Sequence, residues 1–451
     1  MLNEQLINKW QPVLDHEDLP EITDSYRKMV TAHMLENQEA ALKEESTIVG
    51  YQSLLGESAT AANQSQDLGG DVKGFDPVLI SLVRRTAPQL ISFDIMGTQP
   101  MSGPTGLVFA LRPTYNKGKD GTQAGSVNAS VDEANTGFSA GGVDSTPQSG
   151  VGFAANATFT NLTPAATFAT ATGMSTATAE AMNSQSGTAG QIPEMSFSID
   201  KVSVTAVSRA LKAEYTTELA QDLKAIHGLD AEAELSNILT TEINAEINRE
   251  LVRSVYAVCK KVTPVNAKTT GGTIGEVNLD GRWLVERFQA LRYKIEQEAN
   301  AIARDTRRGK GNFVICSSDV ASALATAGVL DPKAALTVDD AGSTFAGTIG
   351  GSMKVFIDPY SVTGTGDFAV VGYKGTSPYD AGMFYCPYVP LQMVKAIGED
   401  NFQPKIGFKT RYGVVANPFA TPNGTGALDS GTNTYYRGFA INALGVANTS
   451  A

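Results

Sequence analysis

The sequence predicts an α+β fold on three observations. Apolar residues recur in steps of four from Leu235 through Leu239, Ile243, Ile247 and Leu251 to Val255, the period of a long one-sided helix. Two strand-like segments, near Leu107–Leu111 and Phe197–Val207, flank a long run of small polar residues and together describe an extended two-stranded arm. The second half places short β-rich strings (FVIC, MKVFIDPY, FAVVGYK, GMFYCPYVPLQMV) around helical ones, the pattern of a mixed domain.

Taken in order, the first segment, to about Glu57, is acidic and helical in pattern. In DSYRKMVTAHMLENQEAALKEE, residues Tyr26, Met29, Val30, His33, Met34 and Leu42 fall roughly along one face. SLLGESATAANQSQDLGGD then loses its bulk after Glu57 and reads as a linker, because small polar residues bury too little apolar surface to hold one conformation. The apolar block FDPVLISLVRRTAPQLISFDIMGTQP is broken by Pro77, Pro88 and Pro100, so short elements joined by turns are expected. GLVFALRPTY predicts a strand over Leu107–Leu111 that ends at Pro113.

From Asn116 to about Gln191 the chain is low in complexity and almost free of Lys and Arg. It reads either as a disordered loop or as an insertion whose order depends on neighbours. FSIDKVSVTAVSRALKAEY restores strand character through Phe197, Ile199, Val202, Val204 and Val207. Asp230 is placed to cap the long helix, with Glu232 and Glu234 at its positive end and Ile238, Val252 and Val258 flanking its stripe. It should run about seven turns, near 40 Å. Gly228 separates it from TTELAQDLKAIH.

A second helix, RWLVERFQALRYKIEQEANAIARDT, carries Trp283, Val285, Phe288, Leu291, Ile295 and Ile302 and stops at RRGKGN. FVIC leads through Ser317 or Ser318 as cap into DVASALATAG, and three further strands follow. FQPKIGFKTRYGVVANPFA is expected to be the last structured piece, before a small-residue tail.

At 451 residues the chain can form two or three domains or one elongated subunit. Only 18% of residues are charged, below the usual quarter, which suits a surface covered by neighbours. A net charge of −12 disfavours a general nucleic-acid-binding surface. Cys259, Cys316 and Cys386 are scattered without a CxxC pair, so a reducing compartment is expected. The N-terminus lacks a basic region followed by an apolar run, and no stretch nears eighteen apolar residues; the expectation is a cytoplasmic product that crosses no membrane.

Chemistry is sparse. His16, His33 and His227 lie far apart without metal-ligand spacing, and no GxSxG motif is present. Gly342–Thr348, GSTFAGT, has the glycine spacing of a phosphate loop, but Thr348 stands where its lysine should be. Neither enzyme activity nor a metal or other cofactor is expected. The basic clusters RRTAP (Arg84, Arg85) and RRGKG (Arg307, Arg308, Lys310) read as solvated faces or as grips for a neighbouring subunit's carboxylates or a nucleic-acid backbone.

The strings LINKWQPVL, FDIMGTQPMSGPTGLVFALR, YTTELAQDLKAIHGLDAEAELSNIL, GNFVICS, DAGMFYCPYV and NFQPKIGFKTRYGVVANPFA closely resemble the major capsid proteins of T-even-type tailed phages. The resemblance runs to about Ala420 and is weakest over 116–191. It implies an HK97-type capsid fold: an N-arm at 58–97, an extended two-stranded loop at 98–208 carrying the insertion, a peripheral domain at 209–275 with its spine helix at 230–259, an axial domain at 276–395, and a returning strand and tail at 396–451. It also implies a precursor that assembles with copies of itself into hexamers, and into pentamers as an option, on an internal scaffold protein. The resulting shell, in the virion, encloses double-stranded DNA without sequence preference.

In that family the prohead protease trims the precursor after Leu/Ile-x-Glu. Leu55-Gly56-Glu57 fits that pattern, making Ser58 the new N-terminus and residues 1–57 a propeptide. Leu42-Lys43-Glu44 also matches but sits in a helical stretch. Vertex, portal and decoration proteins and a host chaperonin are the further partners implied. The pentameric vertex paralogue of the same phages is the nearest alternative. A surface adhesin or fibre, suggested by composition, is undercut by the missing export signal.

Overall fold

The computed structural model describes residues 2–15, 22, 24–49, 90–117, 176, 180, 194–261, 276–279, 283–328, 330–332, 345–360, 367–377, 379–398, 403–420 and 428–442. Two helices begin the chain, α1 (Leu2–Leu14) and α2 (Ser25–Val49). They pack through Trp10, Leu14, Ala32 and Leu35, with Lys9 bridging to Glu36 at 2.8 Å and Glu39 at 2.6 Å. A short helix, α3 (Ser92–Ile95), leads into β1 (Gly97–Thr98). Next come the two paired strands of the ribbon, β2 (Thr105–Lys117) and β3 (Glu194–Thr205).

β4 (Val207–Glu214) continues directly from the ribbon. It pairs antiparallel with β13 (Pro404–Ala416), which pairs antiparallel with β12 (Met383–Ile397), and β1 adds in parallel at the edge. This makes a four-stranded sheet, β1-β12-β13-β4. Helix α4 (Thr217–His227) is capped by Thr216 and ends on Gly228, whose φ of 66° is the left-handed conformation that glycine adopts without steric cost.

The long helix α5 (Ala231–Val258) starts as expected: the Asp230 side chain accepts from the backbone N–H of Glu232. Leu239, Ile243, Ile247, Leu251 and Val255 are all buried and share one core with β12 and β13.

The second sheet has eight strands: β5 (Cys259–Lys261), β14 (Asn433–Asn442), β11 (Asp367–Gly372), β7 (Phe313–Ser317), β10 (Met353–Asp358), β9 (Phe345–Ile349) and β8 (Leu330–Pro332) in that order, with β6 (Glu276–Asn278) also on β14. Helices α6 (Leu284–Thr306) and α7 (Ser318–Thr326) bury Phe288, Leu291, Ile295, Ile302, Val320 and Leu324 with its side chains. The chain divides into two compact units, Met1–Leu107 with Ser203–Ala451, and Val108–Val202.

Helices and sheets mix in the expected α+β manner, with five departures in detail. The supposed tail contains β14, an interior strand whose Tyr435, Tyr436, Phe439 and Ile441 are buried. β2 does not end at Pro113 but continues to Lys117, because a strand in a two-stranded ribbon has one edge that needs no N–H donor. Trp283 and Val285 are exposed, since α6 starts only at Leu284 and they precede its buried stripe. Ser317 stands at the N-cap of α7, yet its hydroxyl bonds Asp367 at 3.0 Å instead of capping the helix. Residues 345–348, read as the end of a phosphate-like loop, are strand.

Candidate assembly surfaces

The ribbon carries an apolar face on which nothing packs among the described residues. Successive strand residues point to opposite sides, so Phe109 and Leu111 share one face of β2, and Met195, Phe197 and Ile199 share one face of β3. The hydroxyls of Thr114 and Ser196 meet at 2.9 Å, which puts the even-numbered positions of the two strands on the same side. The five odd-numbered apolar residues therefore share the other side. All five are 58–67% exposed, whereas even-numbered Val108 and Val202 are buried. A five-residue apolar face of this kind is unusual for a free monomer and marks an interaction surface.

A second surface runs along the outer side of α5. Glu242, Glu246, Arg249, Glu250 and Arg253 turn away from the buried stripe and line a cleft with Arg209 of β4 and Tyr360. Arg209 bridges Glu250 at 2.6 Å and Glu246 at 3.1 Å, tying β4 to the helix. The Tyr412 hydroxyl donates to the same Glu250 carboxylate; burial first, and then that carboxylate, push the hydroxyl's pKa up.

Deeper in, Arg249 reaches both oxygens of Asp358, at 2.8 and 2.6 Å, and stacks on the Tyr360 ring. Asp358 also accepts from the Tyr256 hydroxyl at 2.9 Å and from the Tyr360 N–H at 3.0 Å. These ion-pairing residues were not singled out from the sequence. The available signal was charge at i, i+3 and i+4 opposite the apolar stripe, visible in Glu246, Arg249, Glu250 and Arg253.

Of the expected site residues, Leu55, Glu57, Ser58, Arg84 and Arg85 lie outside the described residues, as do His16 and nearly all of the 116–191 insertion. Leu42-Lys43-Glu44 lies within α2. The second basic cluster is spread over three roles. Arg307 is exposed and closes α6 in a left-handed conformation, φ 54°. Arg308 pairs with Asp380 at 3.4 Å and covers the Phe419 ring. Lys310 pairs with Glu296.

The three cysteines are unpaired and buried, Cys259 on β5 and Cys316 on β7 of the eight-stranded sheet and Cys386 on β12 of the four-stranded one. Burial pushes the Cys259 thiol up to about 11 and those of Cys316 and Cys386 up to about 12. Among the described residues no cluster of His, Cys, Asp and Glu is arranged to hold a metal ion, and no helix is long and apolar enough to cross a membrane.

A profile of the family described as Major capsid protein Gp23 matches residues 72–441. The major capsid protein of Vibrio phage KVP40 is 36% identical over 97% of this chain and 100% of its own length. That of Enterobacteria phage T4 is 37% identical over 92% of each. The capsid vertex protein of Enterobacteria phage T4 is 29% identical over 51% of this chain and 54% of its own length. Among solved structures, the capsid of Myoviridae phage XM1 is 9% identical over 78% of this chain and 92% of its own, with a TM-score of 0.38. A Mycobacterium phage Bobi chain is 11% identical over 78% and 91%, with a TM-score of 0.39.

Proposed function

The chain belongs to the major capsid protein Gp23 family, and we propose that it works as a self-assembling shell subunit made as a precursor and trimmed behind Glu57. The observation that carries the assembly half is the ribbon face. Phe109, Leu111, Met195, Phe197 and Ile199 stand in solvent and need a cover that another copy of the chain supplies in the hexameric lattice. Near full-length identity to major capsid proteins, against half-length identity to a vertex protein, favours the lattice subunit over the vertex paralogue.

The division into propeptide, arm, ribbon, spine helix and axial half belongs to this reading. So do the scaffold protein, the prohead protease, and the roles of Arg84, Arg85 and Arg307 in gripping neighbouring carboxylates. Arg308 and Lys310 already have partners within the chain, so an intersubunit contact there would be shared with Asp380 and Glu296.

The trimming half rests on Leu55-Gly56-Glu57 followed by a small-residue run. Residues 1–57 hold eleven Asp or Glu and four Lys or Arg, a net of −7, which leaves −5 of the chain's −12 behind. Removing them strips carboxylates from the shell's interior before phosphate-rich DNA enters. Electron microscopy of the expressed chain tests assembly: closed shells or hexameric sheets are expected, and monodisperse monomers at high concentration would refute it. Glu57→Ala tests trimming. Precursor shells should form but keep full-length subunits and fail to fill with DNA. Mature particles whose subunit starts anywhere but Ser58 would remove the premise.

A further inference from the structure

Helix α2 is joined to the body by two kinds of contact that point in opposite directions. The attractive kind is plain. The Tyr26 hydroxyl donates to the Thr98 carbonyl, Arg27 meets Asp94 at 3.1 Å, and Asn37 Nδ2 donates to the carbonyls of Met101 at 2.7 Å and Tyr388 at 3.0 Å. Val30 and Met34 are buried in the same cluster as Phe93, Met96 and Leu391.

The other kind is polar groups shut in without partners. His33 Nδ1 and both polar atoms of Gln38 lie on α2. Ser92 Oγ, Thr98 Oγ1 and Gln99 Oε1 lie on the stretch that its hydrogen bonds reach. All six are buried and have no hydrogen-bond partner among the described residues, where only two further side-chain atoms share that condition. A permanent core leaves few such groups, because each gives up its water for nothing. A junction whose two faces must later stand in water gains from them: on separation every one is rehydrated. His33, Gln38, Ser92, Thr98 and Gln99 are therefore a poor design for a core and a fitting one for a surface that opens.

We infer that α1 and α2 form a separable docking module whose partner is the face made by residues 92–101 and β12 of the same chain. Cutting the chain behind the module does not by itself free it; departure is a second step, set by the strength of this junction. The inference deepens the trimming reading and rests on it only for when the cut occurs in the life of the particle.

The test uses assembled full-length chain and a glutamate-specific protease under brief, native exposure. Mass spectrometry after denaturation reports whether the chain has been cut between residues 50 and 89. Size-exclusion chromatography without denaturant reports whether the N-terminal fragment travels with the particle. Co-elution of fragment and particle is expected, with Asn37→Ala raising the rate of fragment loss about tenfold. A fragment that separates as fast as the cut is made would overturn the inference while leaving the trimming reading intact. If that segment resists cutting, the trimming reading loses its accessible site. Hydrogen exchange in α2 then decides the inference alone: faster exchange in Asn37→Ala supports it, and unchanged exchange overturns it.

Discussion

Asp358 is the residue on which the second sheet and the long helix depend together. Its carboxylate is 5% exposed and is satisfied by Arg249, Tyr256 and the Tyr360 N–H. Removing the cation from such a pair strands a buried charge, which costs several kcal/mol. Arg249→Ala should therefore lower stability by about 3 kcal/mol, read from thermal melting of assembled particles.

Lys374 offers a pH-dependent counterpart. Burial first, aided by Arg27 and Lys354 and opposed by Asp94, lowers its pKa to about 8, and its ammonium donates to the Phe93 carbonyl. Between pH 8 and the ordinary 10.5 the unfolded chain holds a proton that the folded chain lacks. The penalty is thus complete below pH 8 and fades as pH rises. Relative to wild type, Lys374→Met should lose about 3 kcal/mol of stability as pH climbs through that window, measured by denaturant titration at successive pH values. The thiols make a third case. With pKa values pushed up to between about 11 and 12, Cys259, Cys316 and Cys386 should resist a thiol reagent at pH 8 until the shell is denatured, and reductant should leave particles intact.

At the scale of elements, the legible parts are those whose signal is local. α5 announces itself because a capping Asp, two acidic first-turn residues and a stripe in steps of four all agree. Asp230→Ala should cost about 1 kcal/mol by freeing the Glu232 N–H, a loss seen as faster exchange in the first turn. β14 was missed although Tyr435, Tyr436, Phe439 and Ile441 carry β-forming bulk. It follows a glycine-rich run and owes its place to pairing with β11 and to the buried Asn433, which donates to the Gly382 carbonyl.

Its neighbour β11 tests how tightly this sheet is packed. A methyl group at Gly372 would fall inside the ring of Phe313, itself 1% exposed. Gly372→Ala should destabilise by about 3 kcal/mol, whereas the same change at Gly228 acts only through its positive φ and should cost about 1 kcal/mol. Differential scanning calorimetry on the two variants separates packing from backbone strain.

For the whole molecule, the proposed lattice role has the apolar face of the ribbon answer to partners, whereas the N-terminal module shares the core of the body through Val30 and Met34. The ribbon's exposed face should become protected on assembly. Hydrogen exchange in β2 and β3 should slow markedly from isolated subunits to shells, and equal rates in both would count against the lattice reading. Phe197→Asp should permit folding of the subunit but reduce shell yield at least tenfold, because it sets a charge in the face to be covered.

The amino-acid sequence by itself determined the helices, most of the strands, the ribbon and the family. Each rests on periodicity, capping or an uncommon string, all of which are local along the chain. Only the tertiary structure decided which charges became ion pairs. Arg249 and Asp358 lie 109 residues apart, and Arg209 and Glu250 lie 41 apart, so no spacing rule joins them. It also decided that Arg308 and Lys310, an apparent free cluster, are held by Asp380 and Glu296. The same holds for α2, whose amphipathic face was legible while its partner was not: the contacts from Asn37 to Tyr388 cross 351 residues. A helix shows in its own sequence that it must bury one side, but what covers that side is set by the path of the rest of the chain.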